Sequence, residues 1–296
     1  MLAVPNFSEG RDARLVGAIA ADFERGAELL DVHSDAVHNR SVLTLAEGAR
    51  ALSGALANGA VGCIDRLDIS TQEGAHPRIG SLDVCPLVFI DEAEREPARA
   101  EAIAAAEAIA ALGIPVFLYG ELASSPERRE RAFFRRGGPS EVARRMRSGE
   151  LAPDLGPPGP HPRAGATLVT ARPPLAAFNL MLDTAELEIA VAIAAELREA
   201  GGGPPGVRAM AVDLDGRAQV STNVHDPAAV PLAAVIERVR ELAAARGVAL
   251  VEAEVVGLVP EAAIAGMPDD LPLAGFDPAR HVIERRLGLR PNAGLR

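Results

Sequence analysis

The 296-residue chain has no lysine and no tryptophan, one tyrosine (Tyr119) and two cysteines (Cys63 and Cys85). Without lysine there is no Schiff-base chemistry of the pyridoxal-phosphate or class-I-aldolase kind, and no Walker-type phosphate loop, whose lysine is indispensable. All 30 basic residues are therefore arginine. Alongside heavy use of Ala, Arg, Gly and Pro, this reads as the mark of a GC-rich genome. Two isolated cysteines without paired-ligand spacing exclude a disulfide scaffold and argue against zinc, which suits a reducing, cytoplasmic setting. No run approaches the roughly 20 apolar residues needed to span a bilayer, and Met1-Leu2-Ala3-Val4-Pro5 lacks the basic start of a signal peptide. A formal charge of −11 speaks against nonspecific binding to nucleic acid or anionic membrane, both of which call for a positive surface.

An apolar content of 48% is ample for a core, and the length allows one large domain or two of about 150 residues. The second half is the more regular. Residues 175–182 read as a strand, and Asp183-Thr184-Ala185-Glu186 offers capping chemistry for a helix ending at Gly201-Gly202-Gly203. Residues 207–214 and 218–224 form a hairpin across Asp215-Gly216, which tolerates positive φ. A helix follows with Leu232, Val235, Ile236, Val239 and Leu242 on one stripe, then a strand at 250–256. This βαββαβ order is the ferredoxin-like split unit.

The first half reads as the same plan with additions. We expect a strand at 2–7, a helix capped by Ser8 and running to Glu24, extended segments at 29–32 and 41–46, and a helix at 49–60. A loop at 73–80, a strand at 82–90, an Ala-rich helix at 97–112 and a strand at 116–119 complete it. The expected fold class is α+β, with two tandem ferredoxin-like subdomains at 1–170 and 171–296, the first elaborated. Their sheets would face each other across a cleft, a common place for a ligand. Between them, residues 128–147 read as a solvated Arg-rich helix and the Pro/Gly-rich run 156–165 as a linker.

Three polar clusters fall at strand ends. Asn6-Phe7-Ser8-Glu9-Gly10-Arg11 reads as a helix cap, or as free backbone amides facing a ligand carboxylate. Asp31-Val32-His33-Ser34-Asp35-Ala36-Val37-His38-Asn39-Arg40 is denser in polar groups than a turn requires, yet its two histidines have no obvious third ligand, so no metal is expected. In Glu73-Gly74-Ala75-His76-Pro77-Arg78-Ile79-Gly80 a proline stiffens a histidine between two glycines. An imidazole there can serve as general base or acid, or simply be a surface-loop histidine.

Taken together, these strings resemble the glutamate formimidoyltransferase (formiminotransferase) family. The resemblance rests on Val4-Pro5-Asn6-Phe7-Ser8-Glu9-Gly10-Arg11, His38-Asn39-Arg40-Ser41-Val42, and Gly74-Ala75-His76-Pro77-Arg78-Ile79-Gly80-Ser81-Leu82-Asp83-Val84-Cys85-Pro86. Later pieces follow in the same order: Pro115-Val116-Phe117-Leu118-Tyr119-Gly120-Glu121, Ala176-Ala177-Phe178-Asn179 and Gln219-Val220-Ser221-Thr222-Asn223. The match covers roughly residues 2–265.

The resemblance implies tetrahydrofolate as co-substrate in a charged tunnel between two ferredoxin-like subdomains. It implies transfer of a formimino group between N-formimino-L-glutamate and the ring-5 nitrogen of tetrahydrofolate, a step of histidine degradation. His76 takes the place of the catalytic histidine. Gly156-Pro157-Pro158-Gly159-Pro160-His161-Pro162-Arg163-Ala164-Gly165 becomes a folate-contacting segment rather than a linker. Where relatives usually carry Asp, this chain has His33; Asp35 and His38 are further supporting candidates. Arg40 and Arg78 could fork ligand carboxylates, with Asn6, Ser8, Asn39, Gly80, Tyr119, Asn179, Gln219, Ser221 and Asn223 as other candidate contacts. Small-molecule partners are expected: folate, formiminoglutamate and glutamate. A homodimer would be compatible with the resemblance, and cyclodeamination would fall to a separate protein. The rival readings are a related transferase using another amine, a non-catalytic folate-binding homologue, and a plain ferredoxin-like interaction module.

Overall fold

The structure is a computed structural model that describes residues 1–47 and 51–289. In chain order it forms β1 (Leu2–Ala3), β2 (Asn6–Phe7), α1 (Ala13–Glu24), β3 (Ala27–Asp35), β4 (Arg40–Glu47), α2 (Leu52–Arg66), β5 (Leu82–Val88), α3 (Arg95–Ala110) and β6 (Val116–Leu118). Then come α4 (Arg131–Arg135), α5 (Gly138–Arg147), β7 (Thr167–Arg172), β8 (Ala176–Leu182), α6 (Leu187–Leu197), β9 (Val207–Asp213), β10 (Ala218–Val224), α7 (Leu232–Ala244), β11 (Leu250–Val256), α8 (Pro278–His281) and α9 (Ile283–Arg286). The chain divides into two compact units, Met1–Pro173 and Pro174–Arg296. The expected helix start at Ala49, and residues 290–296 of the expected second domain, lie outside the described residues.

In the first unit, β1 and β2 lie between β4 and β5 and run antiparallel to both, with β3 outside β4. On the far side β5 pairs with β7 and β7 with β6, both in parallel. Side chains alternate across these strands. Val116, Cys85 and Val169 join the core beneath α1, α2 and α3, while Phe117, Val84 and Leu168 pack with Phe134, Val142 and Met146 of α4 and α5. Cys63 and Cys85 are free and buried.

Several local expectations change. The first strand is broken at Val4-Pro5 because proline has no N–H to give a ladder; the Pro5 carbonyl instead accepts from Leu43 N. Asp12, not Ser8, caps α1, accepting from Arg14 N at 2.8 Å and Leu15 N at 3.3 Å. The Arg-rich stretch is no single solvated helix. Gly137 and Gly138, both at positive φ, break it between α4 and α5, and Arg145 is fully buried over Phe133. Residues 156–165 are not a free linker, since 161–165 form a clasp on the segment leading into β5.

The second unit is an antiparallel sheet in the order β11-β8-β10-β9, with α6 and α7 supplying the apolar layer on Phe178, Leu180, Val220 and Val255. Asp215 and Gly216 take φ of 52° and 85°, and Leu214 and Arg217 exchange both backbone hydrogen bonds, as a two-residue hairpin requires. Asp183 does not cap α6; it accepts from Ala249 N at 2.6 Å and so ties β8 to the segment before β11. Among the described residues, no helix is long and apolar enough to cross a membrane.

Candidate active site

The loop carrying His76 is fastened to the β3–β4 turn. Asn39 sits at φ 47°, a left-handed conformation that asparagine tolerates better than most residues. Its amide donates to Gln72 Oε1 at 2.7 Å and to the Glu73 carbonyl at 2.8 Å, and its Oδ1 accepts from Gly10 N at 3.0 Å. Arg78 donates to the carbonyls of His38 at 2.8 Å, Asn39 at 3.2 Å and His76 at 3.4 Å. Gly74 is needed here, since a Cβ would stand 2.2 Å from Arg78 Nη2 and 2.4 Å from the His38 carbonyl. Arg78 thus knits together the two loops that carry His38 and His76.

His76 Nδ1 lies 2.8 Å from the Pro77 carbonyl. A carbonyl only accepts, so Nδ1 carries the proton and Nε2 of the neutral ring is the basic nitrogen. Burial, followed by the positive charges of Arg40, Arg135 and Arg131, holds the imidazole well below its ordinary value. His38 meets it edge-on, with ring centroids 6.0 Å apart. His38 Nδ1 is 3.0 Å from Asp35 Oδ2, and its Nε2 is buried without a hydrogen-bond partner. Burial would raise the Asp35 carboxyl, but its hydrogen bonds from His38 bring it down.

The cations converge on Asp83. Between β2 and β5 the register slips: Asn6 faces Val84, whereas Phe7 faces Leu82. Asp83 is the extra residue of this bulge, and a bulge re-aims a side chain. Its Oδ1 accepts from Ile79 N at 2.7 Å, and its Oδ2 accepts from both Arg40 Nη1 at 2.8 Å and Arg135 Nη2 at 2.5 Å. Burial alone would raise this carboxyl; Arg135 and Arg40 outweigh it and hold the pKa at about 2. Arg40 also donates through Nε and Nη2 to Asn6 Oδ1, and Asn6 Nδ2 donates to the Val4 carbonyl at 2.7 Å.

Other expected residues form the supporting frame. Ser8 Oγ donates to the Gly80 carbonyl at 2.8 Å. Gly80 bridges Gly165, Gly165 bridges His161, and Ser81 N donates to the Ala164 carbonyl, so residues 161–166 hold the base of the His76 loop. His161 Nδ1 accepts from Ala164 N at 2.9 Å, and the Arg163 carbonyl accepts from Ile69 N. Tyr119 is buried with Ile79, Phe117 and Phe134. His33 pairs with Val42, as does Asn6, which sets His33 on the same sheet face as Asn6. In the second unit, Asn179, Gln219, Ser221 and Asn223 share one face of the sheet through the pairs Ser221–Asn179, Gln219–Met181 and Asn223–Ala177. Asn179 Nδ2 there donates to Glu254 Oε2 at 3.0 Å.

Asp83, Arg131 and Arg135 had no expected role. An acidic residue inside the apolar run of β5 was the available signal, since a buried charge requires a partner. Among the described residues, no group of three or more His, Cys, Asp or Glu side chains could hold a metal ion.

Comparison with known proteins covers nearly the whole chain. Residues 1–172 match the family model described as Formiminotransferase domain, N-terminal subdomain, and residues 177–269 match Formiminotransferase domain. Glutamate formimidoyltransferase of Streptococcus pyogenes serotype M1 is 36% identical over 290 residues, which cover 96% of this chain and 97% of that protein. Its namesake in Thermoplasma acidophilum is 35% identical over 293 residues, covering 96% of each. Formimidoyltransferase-cyclodeaminase of Gallus gallus is 36% identical over 272 residues, 88% of this chain but 50% of that longer protein. The chain belongs to the formiminotransferase family.

Proposed function

We propose that the protein transfers a formimino group between N-formimino-L-glutamate and tetrahydrofolate, with His76 carrying the proton. The observation behind the role of His76 is its geometry: Nδ1 bound to the Pro77 carbonyl, Nε2 basic, and positive charges around it that favour the neutral ring. In the forward direction, His76 Nε2 takes the proton of the ring-5 nitrogen as that nitrogen bonds to the amidine carbon. The imidazolium then returns a proton to the glutamate nitrogen as its bond to the same carbon breaks. A depressed pKa makes the imidazolium a ready donor in this second step. No covalent enzyme intermediate is required, and holding the two substrates in register supplies much of the acceleration.

The cation cluster fits a polyanionic substrate pair, because its arginines outnumber the one buried carboxylate that Arg40 and Arg135 share. Residues 156–165 are read as a folate-contacting segment; their support is that Gly165 and Ala164 hold Gly80 and Ser81, four and five residues after His76. We read both units as ferredoxin-like. In the first, the order β3, β4, β1 and β2, β5 repeats the order β9, β10, β8, β11 of the second.

The test is the His76→Ala variant, assayed with formiminoglutamate and with other formimino donors while folate binding is followed by calorimetry. Loss of transfer with folate binding and fold retained is the expected result. Unchanged turnover in that variant would remove His76 from the chemistry, and wild-type turnover of a different amine in preference to formiminoglutamate would reassign the donor.

A further inference from the structure

The arginines expected to grip a substrate carboxylate are already engaged by the protein. Arg78 is bound to three carbonyls, and Arg40 to Asn6 and Asp83. Two arginines of α4 are placed differently. Arg131 and Arg135 are four residues apart, so both lie on one face of the helix, which Phe134 anchors in the cluster with Phe117 and Val84. Arg135 reaches the same Asp83 oxygen that already accepts from Arg40, and its Nε is buried without a hydrogen-bond partner. Arg131, half-buried one turn earlier, makes no hydrogen bond or ion pair to another described residue. Of the carboxylates near it, Asp83 is shared with two other arginines and Glu130 acts on it most weakly.

Two guanidinium groups thus share one buried carboxylate, and a third stands one helical turn away on the same face. Positive charge withdrawn from water is tolerated when an anion completes it. Arginine is suited to that anion, since its planar fork matches a carboxylate with two parallel hydrogen bonds.

We propose that Arg131, backed by Arg135, is the subsite for the α-carboxylate of the amino-acid substrate and so sets the enzyme's preference for an α-amino acid. This rests on the formimino-transfer reading above. In formiminoglutamate the α-carboxylate is carried by the carbon attached to the reacting nitrogen. Arg135 reaches Asp83, which also accepts from Ile79 N three residues after His76, so the face of α4 that carries Arg131 is turned to the His76 loop and is in place to hold it. The carboxylates of the folate tail, in contrast, are separated from the ring-5 nitrogen by the whole benzoyl group.

The experiment compares wild type with Arg131→Met and Arg131→Lys, each checked for native far-UV circular dichroism. Losing a charge-assisted contact should raise the KM for formiminoglutamate roughly 10- to 100-fold in Arg131→Met, with the folate KM unchanged and part of the loss restored in Arg131→Lys. The formimino derivative of 4-aminobutyrate, which lacks the α-carboxylate, should be a poor substrate for wild type and no poorer for the variant. An unchanged formiminoglutamate KM, or a rise in the folate KM instead, would overturn the assignment. Should wild type fail to turn over formiminoglutamate, the proposed activity falls, and calorimetry with free glutamate still reads the subsite: equal affinity in wild type and Arg131→Met refutes it.

Discussion

Replacing Asp83 by Asn tests the central claim that one carboxylate holds the site together. The side chain is fully buried and accepts three hydrogen bonds, two of them from guanidinium groups. With its pKa held at about 2, against about 3.9 in an unfolded chain, the ionised carboxylate contributes about 2–3 kcal/mol of stability at neutral pH. Because the folded value is the lower one, that contribution is complete above about pH 4 and fades as pH falls toward about 2. Asparagine is nearly isosteric, but it has no charge and presents N–H groups to donors. Arg40 and Arg135 are left uncompensated, which costs about 3–5 kcal/mol. Urea unfolding, followed through the fluorescence of Tyr119, the single tyrosine, which is buried in the α4–α5 cluster, measures this loss in the first unit. Adding Arg135→Met to Asp83→Asn should recover part of the stability, because one stranded charge is then removed. A loss below about 1 kcal/mol, or a double variant weaker by the full sum of the two single changes, would show that the ion pairs do not hold the loop.

Two further outcomes follow from the same geometry. The acid limb of the kcat/KM profile should fall below the ordinary imidazole value of about 6.5, since burial and the arginine charges disfavour the imidazolium of His76; Arg131→Met should move that limb upward, and a limb at or above 6.5 in wild type refutes the field. Gly80→Ala should destabilise the first unit by about 2–3 kcal/mol, because its Cβ would stand 2.0 Å from the Ala166 carbonyl, and unfolding by the same fluorescence reads the change.

Features set by neighbouring residues were legible in the sequence, whereas those set across the chain were not. The hairpin at Asp215-Gly216 and the apolar stripe of α7 depend on residues a few positions apart, and both stand where the patterning puts them. His76 also stood out, because a histidine between glycines and before a proline is a local signature. Its surroundings do not announce themselves. Asp83 draws Arg40 from 43 residues upstream and Arg135 from 52 downstream, and a bulge that appears only once β2 and β5 pair is what aims it. Charge periodicity assigned Arg131 and Arg135 to solvent because alternating Arg and Glu read alike on any helix. What distinguishes α4 is Phe134, which pulls this short helix onto Phe117 and carries its arginines inward.

The lack of lysine acquires a physical meaning in this cluster. An ammonium group among other buried cations readily gives up its proton, because desolvation and like charge both favour the neutral amine. Burial lowers Arg40, Arg131 and Arg135 as well, but a guanidinium begins so high that it remains charged throughout the neutral range. The field on His76 is then fixed, and in the proposed mechanism the imidazole is the group left to change its protonation. Arg40 and Arg135 can share Asp83, and Arg78 can clasp three carbonyls, because each presents several N–H donors in a rigid plane. The overall charge of −11 is therefore no obstacle to an anionic substrate, because the proposed site presents a local excess of guanidinium that cannot discharge itself.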